Sequence, residues 1–240
     1  MSSLEAKKIA PATGTTVTLG AAGDTVDVSA TALKTNTIKD AGGNTIFTSN
    51  GSGTLSSVNS ALKGGLIFIS SQTASNAASI EFTTGIDSTY NEYVFIFTRI
   101  NPATDQANFT FQCSTDGGSN YDVALTSTYF NAYHYEADTG ANLGYYSGFD
   151  QQNGTSYQPL NDHQGNDADQ CCAGMLHLFN PSSVTYVKHF YTTNNESGYD
   201  EYSQENFMAG FFNTSSAITA ISFKMSSGNL DGTIAMYGTG

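Results

Sequence analysis

The sequence predicts an all-β protein: a C-terminal antiparallel β-sandwich, jelly-roll-like, preceded by a short Gly/Ser/Thr-rich β-repeat segment. Three observations predict it. Strand signals recur every ten to fifteen residues from Leu66 onward, turn residues separate them, and no stretch sustains a helical period. A βαβ plan is thereby excluded.

Residues 1 to about 12 hold the only helix-like composition, LEAKKIA, too short to stand alone. From Thr13 to about Ser60 short apolar beats follow at a spacing of about ten residues: TVTLG at Thr16–Gly20, TVDVS at Thr25–Ser29, TIK at Thr37–Lys39, TIF at Thr45–Phe47 and TLSSV at Thr54–Val58. Each beat buries one or two aliphatic residues, too little to offset about 1–2 kcal/mol of backbone ordering per residue. A β-structured and trimeric stem or virion-attachment segment is expected, with a flexible linker as the plainer alternative. A helical turn is expected at Ser57–Lys63. Gly64-Gly65 is the predicted boundary, giving domains 1–63 and 64–240.

In the second domain strands are predicted at Leu66–Gln72, Ala78–Thr83, Glu92–Ile100, Ala107–Ser114, Tyr121–Glu136, Cys171–Phe179, Thr185–Thr192, Phe207–Asn213, Ile218–Met225 and Thr233–Tyr237. Tyr93-Val94-Phe95-Ile96-Phe97 is apolar on both sides, so a central strand covered on both faces is expected. Phe109, Phe111 and Cys113 alternate with polar residues, as do Tyr121, Val123 and Leu125. The intervening Asp116-Gly117-Gly118-Ser119-Asn120 reads as a hairpin turn between them. Asn180–Ser183 reads as a second hairpin turn, and Ser226–Asn229 as the turn before the last strand. Two long irregular stretches, Asp138–Gln170 and Thr193–Gln204, interrupt the rhythm; loops of such length tend to carry function.

Composition narrows the function classes. Hydrophobic residues make up 39% of the 240 and charged ones only 12%, about half the usual ~25%. Ser, Thr, Asn and Gly carry the polar load instead. The net charge of −13, with a single arginine, Arg99, excludes the clustered cations that nucleic acid or an anionic membrane surface requires. No stretch is long enough to span a membrane, and the opening MSSLEAKKIAP has no apolar secretory core. An outer-surface composition without a secretion signal fits a virion protein made in a host cytoplasm. Cys113, Cys171 and Cys172 follow no zinc spacing and are expected to be small buried thiols.

Candidate chemistry is sparse. Asp162, Asp167 and Asp169, near His163, offer hard oxygen ligands for Ca²⁺, but their order does not match the EF-hand loop, and a solvated acidic loop is the plainer reading. His177 and His189 flank the Asn180–Ser183 turn; with His134 they are a conceivable zinc or nickel set, against ordinary packing among tyrosines. The pairs Asp167/Asp169 and Asp200/Glu201 lack the cross-cleft separation glycoside hydrolysis needs, so no enzyme and no cofactor is expected. Tyrosines are more suggestive, because Tyr with Asn, Ser and Gly is the mixture recognition loops use. Tyr145, Tyr146, Asp150, Asn153, Tyr157, Tyr199 and Tyr202 are the candidate receptor- or glycan-binding residues; Tyr129, Tyr133 and Tyr135 lie beside the same loops.

The segments KIAPATGTTVTLGAAGDTVDV, DAGGNTIFTSNGSGTLS, IDSTYNEYVFIFTRINPATDQANFTFQCSTDGGSNYD, LHLFNPSSVTYVKHFY and ISFKMSSGNLDGTIAMYG resemble tail-fibre-like virion proteins of tailed, especially marine, bacteriophages. The resemblance implies shared architecture and homotrimeric assembly, and no family catalytic residues match. The expected function is a non-enzymatic tail fibre or host-attachment protein, bound to other virion proteins through residues 1–63. A capsid decoration or head-fibre protein is the first alternative, and a glycan-cleaving tailspike the second.

Overall fold

The computed structural model describes residues 35–52, 55–58 and 65–239. The chain divides into two compact units, Met1–Lys63 and Gly64–Gly240. In the first, β1 (Thr37–Lys39), β2 (Thr45–Ser49) and β3 (Leu55–Val58) form a three-stranded antiparallel sheet in that order. Three of the five apolar beats are therefore strands. The β1–β2 turn is held by Asp40, whose carboxylate accepts the Asn44 backbone N–H at 2.8 Å and the Asn44 Nδ2 at 3.0 Å, while Gly43 supplies φ +85°. The beats at Thr16–Gly20 and Thr25–Ser29, and the opening LEAKKIA, lie outside the described residues. Of the helical turn expected at Ser57–Lys63, Ser57 and Val58 belong to β3 and the rest lies outside them.

The second unit is built of antiparallel strands β4 (Ile67–Ala77), β5 (Ile80–Phe82), β6 (Glu92–Pro102), β7 (Phe109–Ser114), β8 (Leu125–Tyr135), β9 (Ala141–Tyr145), β10 (Gln152–Gly154), β11 (Gln158–Pro159), β12 (Cys172–Phe179), β13 (Lys188–Gly198), β14 (Tyr202–Phe212), β15 (Ala220–Met225) and β16 (Leu230–Thr239). Nine of them make a large sheet in the order β10-β8-β14-β13-β12-β6-β16-β4, with β9 beside β8; four make a small sheet, β11-β7-β15-β5. Among the described residues no helix is long and apolar enough to cross a membrane.

The two sheets face each other across a phenylalanine core, a β-sandwich-like arrangement. Phe97 of β6 meets Phe109 of β7 edge-on at 5.2 Å, and Phe111 of β7 meets Phe190 of β13 at 5.1 Å. Phe223 of β15 sits at the centre, within 6.3 Å of Phe95, Phe97, Phe109 and Phe111. All are fully buried or nearly so, and each such ring stabilises the fold by roughly 1.5–3 kcal/mol relative to exposure. The outward side chains of β7 are covered as well: the Gln112 amide donates to the carbonyls of Thr155 and Ser156 at 3.1 and 3.0 Å.

Two expectations change. Residues Ala107–Ser114 and Tyr121–Thr126 do not form a hairpin. β7 pairs with β11 and β15 in the small sheet, whereas β8 pairs with β14, β9 and β10 in the large one. The Asp116–Asn120 turn and the non-strand residues after it carry the chain from one sheet to the other. Alternation reports which side chains are buried, and both segments do bury theirs; it does not report which strand is the neighbour. The crossing from β15 to β16 through Ser226–Asn229 is of the same kind. Second, Thr193–Gln204 is not a long loop. β13 and β14 pair without interruption from Lys188↔Phe212 to Gly198↔Tyr202, leaving only Tyr199–Glu201 between them. Their polar inward residues hid the strand signal.

Candidate functional site

Along the inner face of the large sheet, the lining changes character from one end to the other. On β14 the inward residues run Phe212, Met208, Asn206, Gln204 and Tyr202, and on β13 they run Phe190, Thr192, Asn194 and Glu196. On β8 the same direction gives Leu125, Tyr129, Asn131, Tyr133 and Tyr135. The apolar end meets the phenylalanines of the small sheet. At the polar end, residues 160–170 take over as the cover.

Buried amides pin that cover. Asn161 Oδ1 accepts the Phe109 N–H at 2.6 Å and its Nδ2 donates to Gln164 Oε1 at 2.8 Å. The Gln164 side chain donates to the Ile100 carbonyl, and Gln170 Nε2 donates to the Gly198 carbonyl at 3.2 Å. Asn194 Nδ2 closes the set on the Leu160 carbonyl at 2.8 Å. Each of these amides thus exchanges water for a protein partner, the condition under which a buried amide is tolerated.

Beneath the cover lies Glu196, 1% exposed. Its Oε1 accepts from Gln204 Nε2 at 2.8 Å, the Asp162 N–H at 3.3 Å and Asn206 Nδ2 at 3.4 Å; Oε2 accepts no hydrogen bond. Burial, reinforced by the Asp162 charge and only partly opposed by these bonds, pushes its carboxyl up to about 8. The protonated form is therefore favoured at neutral pH. Asp162 is also raised by burial, and His163, in ion-pair contact with it, opposes that rise.

Above this layer the tip of the β13–β14 hairpin, residues Asp162 and His163, Tyr146 and the end of β8 enclose a polar recess of about 180 Å³. Its walls are aromatic. Tyr202 stands 5.6 Å from Tyr135 and 6.0 Å from Tyr133, Tyr199 stands 6.4 Å from Tyr202, and the His163 ring lies 5.9 Å from Tyr199. The Tyr202 hydroxyl donates to the Asp162 carbonyl at 3.2 Å, and the Tyr199 N–H donates to the His163 carbonyl at 3.2 Å.

Of the seven recognition candidates, Tyr146, Tyr199 and Tyr202 line this recess, so the two stretches singled out in the sequence converge. The other four lie elsewhere. Tyr145 is exposed on edge strand β9, where its hydroxyl donates to Asp150. Asp150 also accepts the Tyr129 N–H at 3.0 Å. Asn153, at φ +60°, accepts from Asn213 Nδ2 at 2.9 Å. Tyr157 packs on the small sheet, its hydroxyl 3.0 Å from Ser222 Oγ and the Lys224 ammonium 4.0 Å above its ring. Tyr133, Tyr135, Asp162, His163 and Gln204 complete the recess.

Asp162 lies in the recess wall, while Asp167 and Asp169 are exposed. Among the described residues no three His, Cys, Asp or Glu side chains gather as metal ligands. The histidines are separate: His177 stacks on Tyr191 at 4.3 Å, His189 lies 5.9 Å from Phe211, and His134 contacts Asp138 at 3.1 Å. Glu196 falls in the Thr193–Gln204 stretch expected to be an irregular loop, so its burial was not foreseen. Its signal is the inward period on β13, legible only once Thr193–Gly198 is known to be strand. Comparison of the chain with protein-family models, curated proteins and solved structures gave no match.

Proposed function

We propose that this chain is a non-enzymatic structural protein of a tailed-phage particle, a homotrimeric tail-fibre or host-attachment protein whose tyrosine-lined recess binds a host-surface glycan. Residues 1–63 serve as the stem or the attachment to other virion proteins, and the jelly-roll-like second unit projects outward. The observation that carries the reading is the convergence of two stretches remote in sequence on one recess with aromatic walls and mixed hydrogen-bonding groups. Ring faces cover the C–H faces of a sugar, and Asp162, Gln204 and the tyrosine hydroxyls supply donors and acceptors for its hydroxyls. A volume of about 180 Å³ equals roughly six waters at ~30 Å³ each, the scale of one sugar ring.

The test is binding of the full chain to surface polysaccharide from candidate hosts, followed by ligand-observed NMR. Tyr199→Ala removes an exposed wall and is expected to weaken binding roughly tenfold, about 1.4 kcal/mol. Absence of glycan binding, together with unimpaired infection at saturating protein, overturns the reading. Averaged images of the particle separate a tail position from shell decoration. Loss of polysaccharide viscosity on incubation would point to cleavage instead.

A further inference from the structure

β6 carries apolar side chains on both faces. Tyr93, Phe95 and Phe97 point into the core, while Val94 and Ile96 point to the opposite side of the large sheet, where Val94 is buried between its cross-strand neighbours His177 and Tyr237, Ile96 is half-buried, and no second layer of described strands lies in this unit. Strands apolar on both sides normally sit between two layers. The neighbouring strands continue the same outward surface. Phe130 of β8 and Phe207 of β14 are direct cross-strand partners with rings stacked at 4.9 Å, and the register carries their row to Met175 and Ile96. The adjacent row holds Tyr191, Tyr237 and Phe68. Phe68 is 58% exposed and Phe130 and Tyr191 each 42%, high values for residues in regular strands. Seven of the eleven large exposed hydrophobic residues in the described chain lie on this one face.

Its charge decides what covers it. The chain carries −13, yet the strands of this sheet turn only Glu92, Glu205 and Asp231 to that side, and each has a partner: His177, the Thr193 hydroxyl at 2.6 Å, and the Asn76 N–H at 2.7 Å. A basic partner would exploit the carboxylates clustered elsewhere. Another −13 chain can approach most closely where carboxylates are fewest. The size is sufficient as well. Seven strands about 4.8 Å apart and about seven residues of each strand give a surface on the order of 700 Å², close to the ~800 Å² each partner contributes to a standard stable interface. Two grooves in the face, of about 460 and 330 Å³, have almost wholly apolar linings and can receive side chains.

We propose that copies of this chain assemble through the outer face of the nine-stranded sheet, so that β6 is covered on its second side by another copy. No recess residue lies on this face, so the interface stands independently of glycan binding. The test is light scattering of the full chain across a dilution series. The expected mass is a multiple of the 25.4 kDa chain, falling to the single-chain value in the double variant Tyr191→Glu/Phe207→Glu. Val184→Glu, an exposed apolar residue outside the strands, is expected to leave the mass unchanged. Far-UV circular dichroism verifies folding; if the double glutamate variant fails to fold, Tyr191→Ser/Phe207→Ser is read in the same way. A wild-type mass of 25.4 kDa at every concentration, or a folded double variant that assembles like wild type, overturns the proposal.

Discussion

Tyr202 lies flat against Gly198, its cross-strand partner at the tip of the β13–β14 hairpin. A Cβ added at Gly198 would come within 2.0 Å of the Tyr202 ring. From that position the Tyr202 hydroxyl reaches the Asp162 carbonyl and ties the hairpin to residues 160–170. The aromatic wall of the recess thus depends on the absence of one methyl group.

Gly198→Ala is therefore expected to displace Tyr202. Overpacking of this kind costs about 1–3 kcal/mol, and glycan binding should weaken with it. Tyr202→Phe keeps the ring but loses one hydrogen bond, about 1 kcal/mol, so thermal melts should rank it between wild type and Gly198→Ala. Equal melting of all three would refute the packing argument.

Just past the end of β7 the Asp116 carboxylate accepts the Asn120 backbone N–H at 2.9 Å, the Asn120 Nδ2 at 2.7 Å and the Ser114 hydroxyl at 2.6 Å. These bonds favour the charged form and hold its carboxyl down at about 2. A depressed carboxyl stabilises the turn fully above the ordinary value of 3.8 and progressively less as pH falls through about 2. Amide exchange at Gly118 and Asn120 should accelerate over that window, with the change abolished in Asp116→Asn.

The contrast between strand existence and strand pairing explains how far the sequence was readable. Each of the ten predicted strands in residues 65–239 overlaps an observed one, because Phe, Ile and Leu at alternate positions declare a dry side. Pairing was hidden wherever a connection crosses between sheets, since Asp116–Asn120 turns the chain identically whether β8 joins its sheet or the other one. The polar half of the core was hidden for a different reason. Asn194, Glu196, Gln204 and Asn206 are buried by residues 160–170, and a polar inward face supported by amides from a remote segment looks like a loop in one dimension. Recess tyrosines were conspicuous by composition, but Tyr145 and Tyr157 carry the same signal and lie elsewhere.

Thiol chemistry separates neighbours in the same way. Cys172 points inward from β12 and is buried, Cys113 is buried in β7, and Cys171 precedes β12 half-buried. Burial also raises the Cys113 and Cys172 thiols well above their usual value, which suppresses the reactive thiolate. A maleimide reagent should label Cys171 alone in the folded protein and all three in denaturant, as read by intact mass. Rapid labelling of Cys113 in the native state would contradict the two-sided burial of β7.

Glu196 gives the protein a pH response opposite in sign to that of Asp116. The folded chain holds the Glu196 proton up to about 8, whereas the unfolded chain releases it near 4.5. Between those values folding takes up a proton, so this contribution to stability is complete below 4.5 and declines as pH rises toward 8. The decline is at most about 1.4 kcal/mol per pH unit, and Asp162, raised in the same direction, adds to it. Denaturant melts from pH 5 to 9 should show that loss. Glu196→Gln keeps an acceptor for Gln204 and Asn206 and cannot ionise, so its stability should be flatter across the window and higher than wild type at pH 9. Parallel profiles for the two proteins would place the charged form of Glu196 in water rather than beneath the recess.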